Sequence, residues 1–339
     1  MKKRVFVAGA GGAIGRPLVT QLVARGHEVV ATTRKREKLD ALRALGAEAV
    51  VMDGLDAGSV AEAVARAKPD VIVHQMTALA GASDLKHFDD TFAVTNELRT
   101  RGTEHLLAAA HAVGVRRLIA QGYAGWPYPR SGRPIKSEDE PFDRNPPAPA
   151  MSLTLDALIR QEELVRSASL DGVVLRYGSF YGPGASDELV ELIRHRKLPL
   201  VGDGSGVWSW IHIDDAAAAT VAAAEASATG VFNICDDEPA PVSQWLPYLA
   251  EALGAKAPRK VPAWLARLVA GDTVVAMMTQ IRGASNEKAK RELGWQPRWS
   301  SWRQGFRDGC ATETRGQTRR RSGSLPPPEW AKKSGNAAL

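Results

Sequence analysis

Short runs of β-branched and apolar residues alternate with longer segments of helical periodicity through the first half of the chain. The helical segments are predicted at about residues 13–25, 36–45, 56–67, 90–113 and 152–169. Because a helix follows nearly every strand, the pattern predicts an α/β fold, a doubly wound parallel sheet with helices on both faces. The predicted strands are Arg4–Ala8, Glu28–Thr32, Ala47–Met52, Val71–Gln75, Arg117–Gln121 and Val173–Tyr177.

The pattern changes in the second half of the chain. Residues 124–150 are rich in proline and predict a long surface excursion, and Val207–Ile213 predicts an aromatic strand. The last residues contain almost no apolar side chains, so they cannot offset the entropy of ordering. The predicted parts are a core of residues 1–177 completed by about 207–235, a smaller C-terminal lobe of residues 178–206 and 236–310, and a disordered basic tail of residues 311–339.

The charged residues narrow the choice of partners. The chain has 44 Lys and Arg against 38 Asp and Glu, a net charge of +6. Residues 310–339 hold six of these cations and two of the acids, so the first 309 residues carry only +2. The basic tail has no aromatic residue apart from Trp330, and the sequence therefore argues against a nucleic-acid partner.

Other sequence signals are absent. No run of about 18 apolar residues occurs, so we predict neither a membrane span nor a membrane partner. The two cysteines lie far apart, and no metal-binding motif is present, so we predict no metal site. Both features favour a cytoplasmic protein.

A glycine-rich segment, GAGGAIG, follows the first predicted strand and opens the first predicted helix. Gly9 would make the tight turn, Gly12 would admit a pyrophosphate close to the backbone, and Gly15 would let the helix pack on the strand. Ala13 and Ile14 lie at the helix start, where free N–H groups bind phosphate. This context predicts a dinucleotide site, and the alternative is a purely structural turn.

The residues after the second predicted strand indicate which dinucleotide binds. An NAD site places an acid about 20 residues after the glycines to bind the ribose hydroxyls. This chain has Arg34 and Arg36 there, which could bind a 2′-phosphate and so predict NADP. Asp53 and Gly54 follow the third strand, where Asp53 could bind the adenine amino group or cap the next helix.

These blocks resemble the short-chain dehydrogenase/reductase superfamily, in particular its extended, epimerase/dehydratase-like branch. The resemblance covers about residues 3–309 and implies a Rossmann core that binds NAD(P) and a C-terminal lobe that binds a small-molecule substrate. The blocks that carry it are VAGAGGAIG, DVIVHQMTAL, LRYGSFYGPG, VGDGSGVWSWIHIDDAA and LGWQPRWSSWRQGF.

The resemblance also implies residues that this chain lacks. The family transfers protons with a Tyr-x-x-x-Lys pair on the fifth helix and a Ser or Thr after the fifth strand. Matching the helix end places Thr154 at the Tyr position and Leu158 at the Lys position. The fifth-strand segment places Gly122 at the Ser position, and a match at Gly102-Thr103 places Arg99 at a helical Asn. No tyrosine of the chain has a Lys four residues later. The chain therefore resembles an atypical member without the usual Ser-Tyr-Lys residues.

Two tyrosines are candidates for the missing proton donor. Tyr181 lies in the loop that the resemblance places beside the nicotinamide, and Tyr123 follows the fifth strand. His74 ends the fourth strand, and we expect it to be structural rather than catalytic.

The sequence leaves two functions open. The first is an NADP(H)-dependent oxidoreductase or epimerase-like enzyme that acts on a small organic substrate in the cleft between core and lobe. The second is a catalytically silent NADP(H)-binding sensor, which loss of the usual residues would favour. The sequence is also compatible with a homodimer.

Overall fold

A computed structural model describes residues 1–79 and 84–310, so the predicted tail lies outside the described residues. The strands are β1 (Arg4–Ala8), β2 (Glu28–Thr33), β3 (Glu48–Val51), β4 (Val71–His74), β5 (Arg117–Tyr123), β6 (Ile135–Lys136), β7 (Asp171–Tyr177), β8 (Ser179–Tyr181), β9 (Leu200–Val201), β10 (Val207–Trp208), β11 (Trp210–His212), β12 (Gly230–Ile234), β13 (Ala240–Pro241), β14 (Lys260–Val261) and β15 (Gly283–Ala284). The helices are α1 (Gly15–Ala24), α2 (Leu39–Arg43), α3 (Ala57–Ala67), α4 (Phe88–Glu97), α5 (Thr103–Val113), α6 (Ser152–Ser167), α7 (Asp187–Arg194), α8 (Ile213–Glu225), α9 (Val242–Ala252), α10 (Ala263–Thr279), α11 (Glu287–Leu293) and α12 (Trp302–Gly305).

Seven strands form one parallel sheet in the order β12-β7-β5-β4-β1-β2-β3. Successive side chains of a strand point to opposite faces. Val5 and Val7 accordingly pack in the core that includes α1 and α8, whereas Phe6 and Ala8 pack in the core that includes α3, α5 and α6. Helices therefore cover both faces, and the predicted doubly wound Rossmann sheet is confirmed.

The structure divides three of the predicted elements. The helix predicted over 36–45 is a 3₁₀ turn at Arg36–Lys38 followed by α2. The helix predicted over 90–113 contains a π-helical segment at Leu98–Gly102, between α4 and α5. The aromatic strand predicted over Val207–Ile213 is wrong as a single strand, because β10 pairs antiparallel with β13 while β11 pairs parallel with β8. The aromatic pattern cannot show this division, since it depends on partners that are remote in the chain.

The C-terminal part of the chain has a hydrophobic core of its own. Its largest buried side chains are aromatic, and the core includes Tyr181, Trp210, Trp245, Trp302 and Phe306. The proline-rich excursion is tied to this part by the parallel pairing of β6 with β15. In the described ranges, none of the helices is long and apolar enough to cross a membrane.

Candidate active site

The glycine turn connects β1 to α1 at the carboxyl edge of the sheet. Gly9 has a φ of 91°, and a Cβ there would lie 2.6 Å from the carbonyl oxygen of Gln75. A Cβ on Gly15 would collide with the backbone of Ala10. The fold itself therefore requires both glycines. Gly12 is exposed, and a Cβ there would meet only the Gly9 carbonyl oxygen, at 3.6 Å, so this position keeps open space where a pyrophosphate fits.

The start of α1 offers the phosphate-binding end of a helix. Ile14 is the N-terminal boundary residue and no side chain caps the helix, whose first turn contains no acid. Ile14 is buried while Ala13 is exposed. The first N–H groups of a helix lack partners within it and carry a partial positive charge. The turn can therefore stabilise an anion without help from side chains.

Four cations follow β2, namely Arg34, Lys35, Arg36 and Lys38. Arg34 and Arg36 are exposed, and neither pairs with an acid in the part of the chain that the structure describes. Lys38 donates a hydrogen bond from Nζ to the Gly11 carbonyl oxygen at 2.9 Å. The sequence prediction missed Lys38 because only the bend after β2 brings this side chain back to the glycine turn.

Asp53 and Gly54 follow β3 at the same edge. Asp53 is exposed, and the helix cap that the sequence offered as its alternative role belongs to Asp56, whose carboxylate accepts a hydrogen bond from the Ser59 N–H. The Asp53 side chain is thus not required to cap α3. Gly54 is buried, and a Cβ there would collide with the side chain of Met76.

His74 ends β4 and is buried as a neutral ring. Its Nε2 lies 3.1 Å from the Leu98 carbonyl oxygen, and its Nδ1 accepts a hydrogen bond from the Met76 N–H. Burial lowers the pKa of His74 to about 4. A histidine held in this way orients the strand end and has no charge at neutral pH.

Arg99 places a buried cation in the π-helical segment next to this strand end. Its Nη1 donates to Asn96 Oδ1 at 3.2 Å, and in the described part of the chain no acid pairs with it. Burial lowers the pKa of Arg99 to about 10, so it remains charged at neutral pH.

Thr154 lies in the first turn of α6 and its hydroxyl is engaged on two sides. It donates to Asp89 Oδ1 at 2.7 Å and accepts from Asn96 Nδ2 at 2.9 Å. Asp89 also accepts hydrogen bonds from the N–H groups of Leu153 and Thr154, both at 2.9 Å. This carboxylate therefore holds the start of α6 to α4, and Thr154 is part of that junction.

Leu158 lies in apolar surroundings on α6, and Gly122 lies on β5. Leu158 is buried in the cluster that includes Met151 and Leu155. A Cβ on Gly122 would lie 3.0 Å from the Val174 side chain. Neither position presents a polar side chain.

Tyr123 is the last residue of β5, at the carboxyl edge of the sheet. Its ring lies 6.5 Å from that of Trp126. Burial raises the pKa of Tyr123, although a hydrogen bond with Ser179 opposes the shift. The hydroxyl is therefore protonated at neutral pH and could donate a proton.

Tyr181 lies in the core of the C-terminal lobe. Its side chain is fully buried, and its ring contacts the rings of Trp210, His212 and Phe306. A Cβ on Gly305 would collide with its hydroxyl. The structure thus places Tyr123 and Thr154 near strand and helix ends of the core, and it places Tyr181 in a different, apolar environment.

The sequence of residues 5–235 matches the NAD dependent epimerase/dehydratase family. The chain belongs to this family. The match covers the sheet from β1 to β12 and both the glycine turn and α6.

Two relatives extend the comparison over more of the chain. A 3-diazoavenalumate denitrifying reductase from a Streptomyces species is 48% identical over 308 residues, which are 89% of this chain and 99% of that protein. A 2-alkyl-3-oxoalkanoate reductase from Stenotrophomonas maltophilia is 31% identical over 265 residues, which are 74% of this chain and 76% of that protein.

Solved structures share the fold. The UDP-glucose 4-epimerase of Thermotoga maritima with UDP-glucose superposes with a TM-score of 0.73 at 23% identity, over 93% of this chain and 99% of that chain. The UDP-glucose 4-epimerase of Thermus thermophilus in complex with NAD gives 0.70 at 24% identity, over 92% and 99%. This protein is therefore an NAD(P)-binding enzyme of the oxidoreductase and epimerase type.

Proposed function

We propose that this enzyme is an NADPH-dependent reductase that replaces the diazo group of a small aromatic substrate with hydrogen. The observation that carries the proposal is the content of three positions, Gly122, Thr154 and Leu158, at which the family resemblance expects Ser, Tyr and Lys. None of the three has an ionisable side chain, whereas Tyr and Lys both do. The 48% identical relative is named as a reductase of a diazo compound, which supports the same chemistry.

An arenediazonium can be reduced at a site that has no acid to donate a proton. NADPH, when bound, supplies a hydride. The diazonium carries its own positive charge, so its ring carbon accepts the hydride without a proton from the protein. A C–H bond forms, the C–N bond breaks, and its electron pair leaves with N₂. Carbonyl reduction and epimerisation differ, because oxygen must gain or lose a proton.

The cations after β2 support NADP(H) as the cofactor. Arg34 and Arg36 have no acidic partner among the described residues and are available to a 2′-phosphate. Lys38 adds a third positive charge at the glycine turn. No acid stands where an NAD site would place one.

A carbonyl substrate would need a proton donor from elsewhere, and we assign that role to Tyr123. It lies at the strand end, and its raised pKa keeps it protonated. Tyr181, the other predicted donor, packs within the lobe core and is less well placed. A variant at Tyr123 should therefore distinguish diazonium reduction from carbonyl reduction.

The first experiment follows NADPH consumption with 4-carboxybenzenediazonium as the probe. NADPH is deuterated at C4 on one face or the other. Only one of the two isotopomers should give benzoate with a single deuterium at the carbon that carried nitrogen, and the other should give unlabelled benzoate. A reaction without enzyme and the Gly12→Val variant serve as controls for direct reaction of the probe with NADPH. Equal rates with and without enzyme would overturn the proposal.

The second experiment compares two substrates in Tyr123→Phe. We expect diazonium turnover within about twofold of the wild type, and reduction of a 2-alkyl-3-oxo acid lowered ~10²–10⁴-fold if the wild type reduces it. Loss of both activities in a variant that still binds NADPH would show that the diazo reaction needs a proton donor. NADPH binding without turnover of either substrate would support the sensor instead.

A further inference from the structure

In the first half of α10, large apolar side chains are exposed and a small one is buried. Ala266 is buried against the lobe, while four large apolar residues are exposed. A surface helix normally turns its large apolar side chains inward. The exposed fractions are 64% for Trp264, 39% for Leu265, 73% for Leu268 and 72% for Val269. We call these four residues the apolar α10 surface.

These four residues form one continuous stripe. Trp264 and Leu268 are four residues apart, as are Leu265 and Val269, and residues at this spacing are neighbours on a helix. The helix is interrupted at Gly271, whose φ of 88° and ψ of 172° are not helical. The stripe therefore ends at a kink, and the half of α10 that carries it has about two turns.

Basic residues precede the apolar α10 surface in the sequence, and one lies within it. Residues 252–271 contain four basic residues and no acid. All four are exposed, and among the described residues the one ion pair that they make joins Arg267 to Asp272 at 2.6 Å. Three acids lie beside this segment, namely Glu251, Asp272 and, in the loop that contacts the start of α10, Asp203, so the cations exceed the acids by one. The four are Lys256, Arg259, Lys260 and Arg267.

The positive charge and the apolar area together favour one kind of partner over another. A second copy of the chain would place the same cations opposite one another in a symmetric pair. Anionic lipid headgroups would instead neutralise them while the stripe enters the acyl boundary. Tryptophan is also typical of the membrane interface.

We propose that the apolar α10 surface docks the enzyme peripherally on an anionic lipid surface. The helix lies in the interface and does not span the bilayer, which agrees with the described helices being too short or too polar to cross. The sequence-based expectation of no membrane partner considered only spanning segments. Gly271, at the kink that ends the stripe, lies beside the Lys86 side chain, near the start of α4.

The test is co-sedimentation of the full chain with vesicles of phosphatidylglycerol and phosphatidylcholine, and with phosphatidylcholine alone. We expect binding to the anionic vesicles, weakened by salt. Leu268→Ser/Val269→Ser should lower the partition coefficient at least about tenfold. Leu153→Ser is the matched control, because Leu153 is 66% exposed on α6, and it should bind like the wild type.

The double variant keeps every charge, including those of the basic tail. Binding equal to the wild type in the variant would therefore show that charge alone holds the protein to vesicles and would overturn the proposal. So would no binding of the wild type, or a dimer in solution that the variant converts to a monomer. NADPH affinity and Tm should be unchanged in the variant, which confirms that it is folded.

Discussion

The glycine turn has the residues that the family resemblance implies, whereas the junction at the start of α6 has other residues. At the turn, Gly9, Gly12 and Gly15 are all present and the geometry suits a pyrophosphate. At the junction, Thr154 is bound to Asp89 and Asn96, and Leu158 fills apolar space. The glycine turn would bind a pyrophosphate through backbone N–H groups, whereas the chemistry at the junction depends on side chains. Side chains can be exchanged without altering the strands that support them, so a cofactor site can persist while the chemistry beside it changes.

The polar side chains of this junction form hydrogen bonds with one another. Asp89 accepts three hydrogen bonds from α6, and Asn96 links Thr154 to Arg99. Buried polar groups are costly only when they lack partners. The polar groups of this junction therefore need not cost stability.

The largest expected effect is at the glycine turn. Gly12→Val should raise the Kd for NADPH at least about hundredfold, because the branched side chain fills the open space. Tm should change by no more than about 3 °C, since no protein atom blocks the side chain. Titration calorimetry and thermal unfolding measure the two quantities.

Gly9→Val is the paired variant for that measurement. Its Cβ would lie 2.6 Å from the Gln75 carbonyl oxygen at a φ of 91°, so Tm should fall markedly. If Gly12→Val binds NADPH normally, the pyrophosphate does not lie at this turn.

The cations beside the turn should give the next largest effect. Arg34→Ala should weaken NADPH binding about ten- to a hundredfold and leave NADH binding unchanged, because a charge-assisted contact to the 2′-phosphate is lost. Arg43→Ala is the control, since this arginine is exposed and pairs with Asp40. Equal affinity of the wild-type enzyme for NADH and NADPH would contradict the assignment.

His74 should make the β4 end sensitive to acid. Its pKa is about 4 in the folded protein, against an ordinary value of 6.5. Below pH 6.5 His74 is protonated in the unfolded chain but stays neutral in the folded chain. The free energy of unfolding therefore falls by about 1.4 kcal/mol per pH unit down to pH 4. Urea unfolding should show this as about 2 kcal/mol lost at pH 5.

His74→Gln should remove that part of the pH dependence. His87→Gln provides the comparison, because His87 is exposed and bound to Asp84. The same slope in all three proteins would mean that His74 is protonated in the folded state or that other groups determine the slope.

The smallest effect concerns the junction itself. Thr154→Val should lower the free energy of unfolding by about 1–2 kcal/mol, because Asp89 and Asn96 each lose a partner. Diazonium turnover should stay within about twofold, and Thr154→Ser should recover the stability. A folded Thr154→Val enzyme without turnover would show that the hydroxyl takes part in the reaction, and the two regions would then be less different than we infer.

Local patterns predicted the core because its signals are short in range. Each central strand is a compact apolar run, and the glycine segment lies within seven residues of one strand–helix connection. Lys38 and Asp56 were not predicted as a turn contact and a cap, since each depends on how the chain bends after a strand. The loop of Tyr181 led to the prediction that it lies beside the cofactor, and this stays a prediction. Its packing against Gly305, far along the chain, could not be read from that loop.

The sequence by itself determined the α/β class, the doubly wound sheet and the position of the glycine turn, because periodicity and backbone freedom act over a few residues. The tertiary structure alone decided which polar groups meet at the start of α6, which tyrosine stays at the sheet edge, and which face of α10 remains uncovered. These outcomes depend on contacts between segments that are remote in the chain. Trp264 and Trp302 illustrate the difference, since both are tryptophans in helices of the C-terminal lobe, and packing leaves one exposed and buries the other.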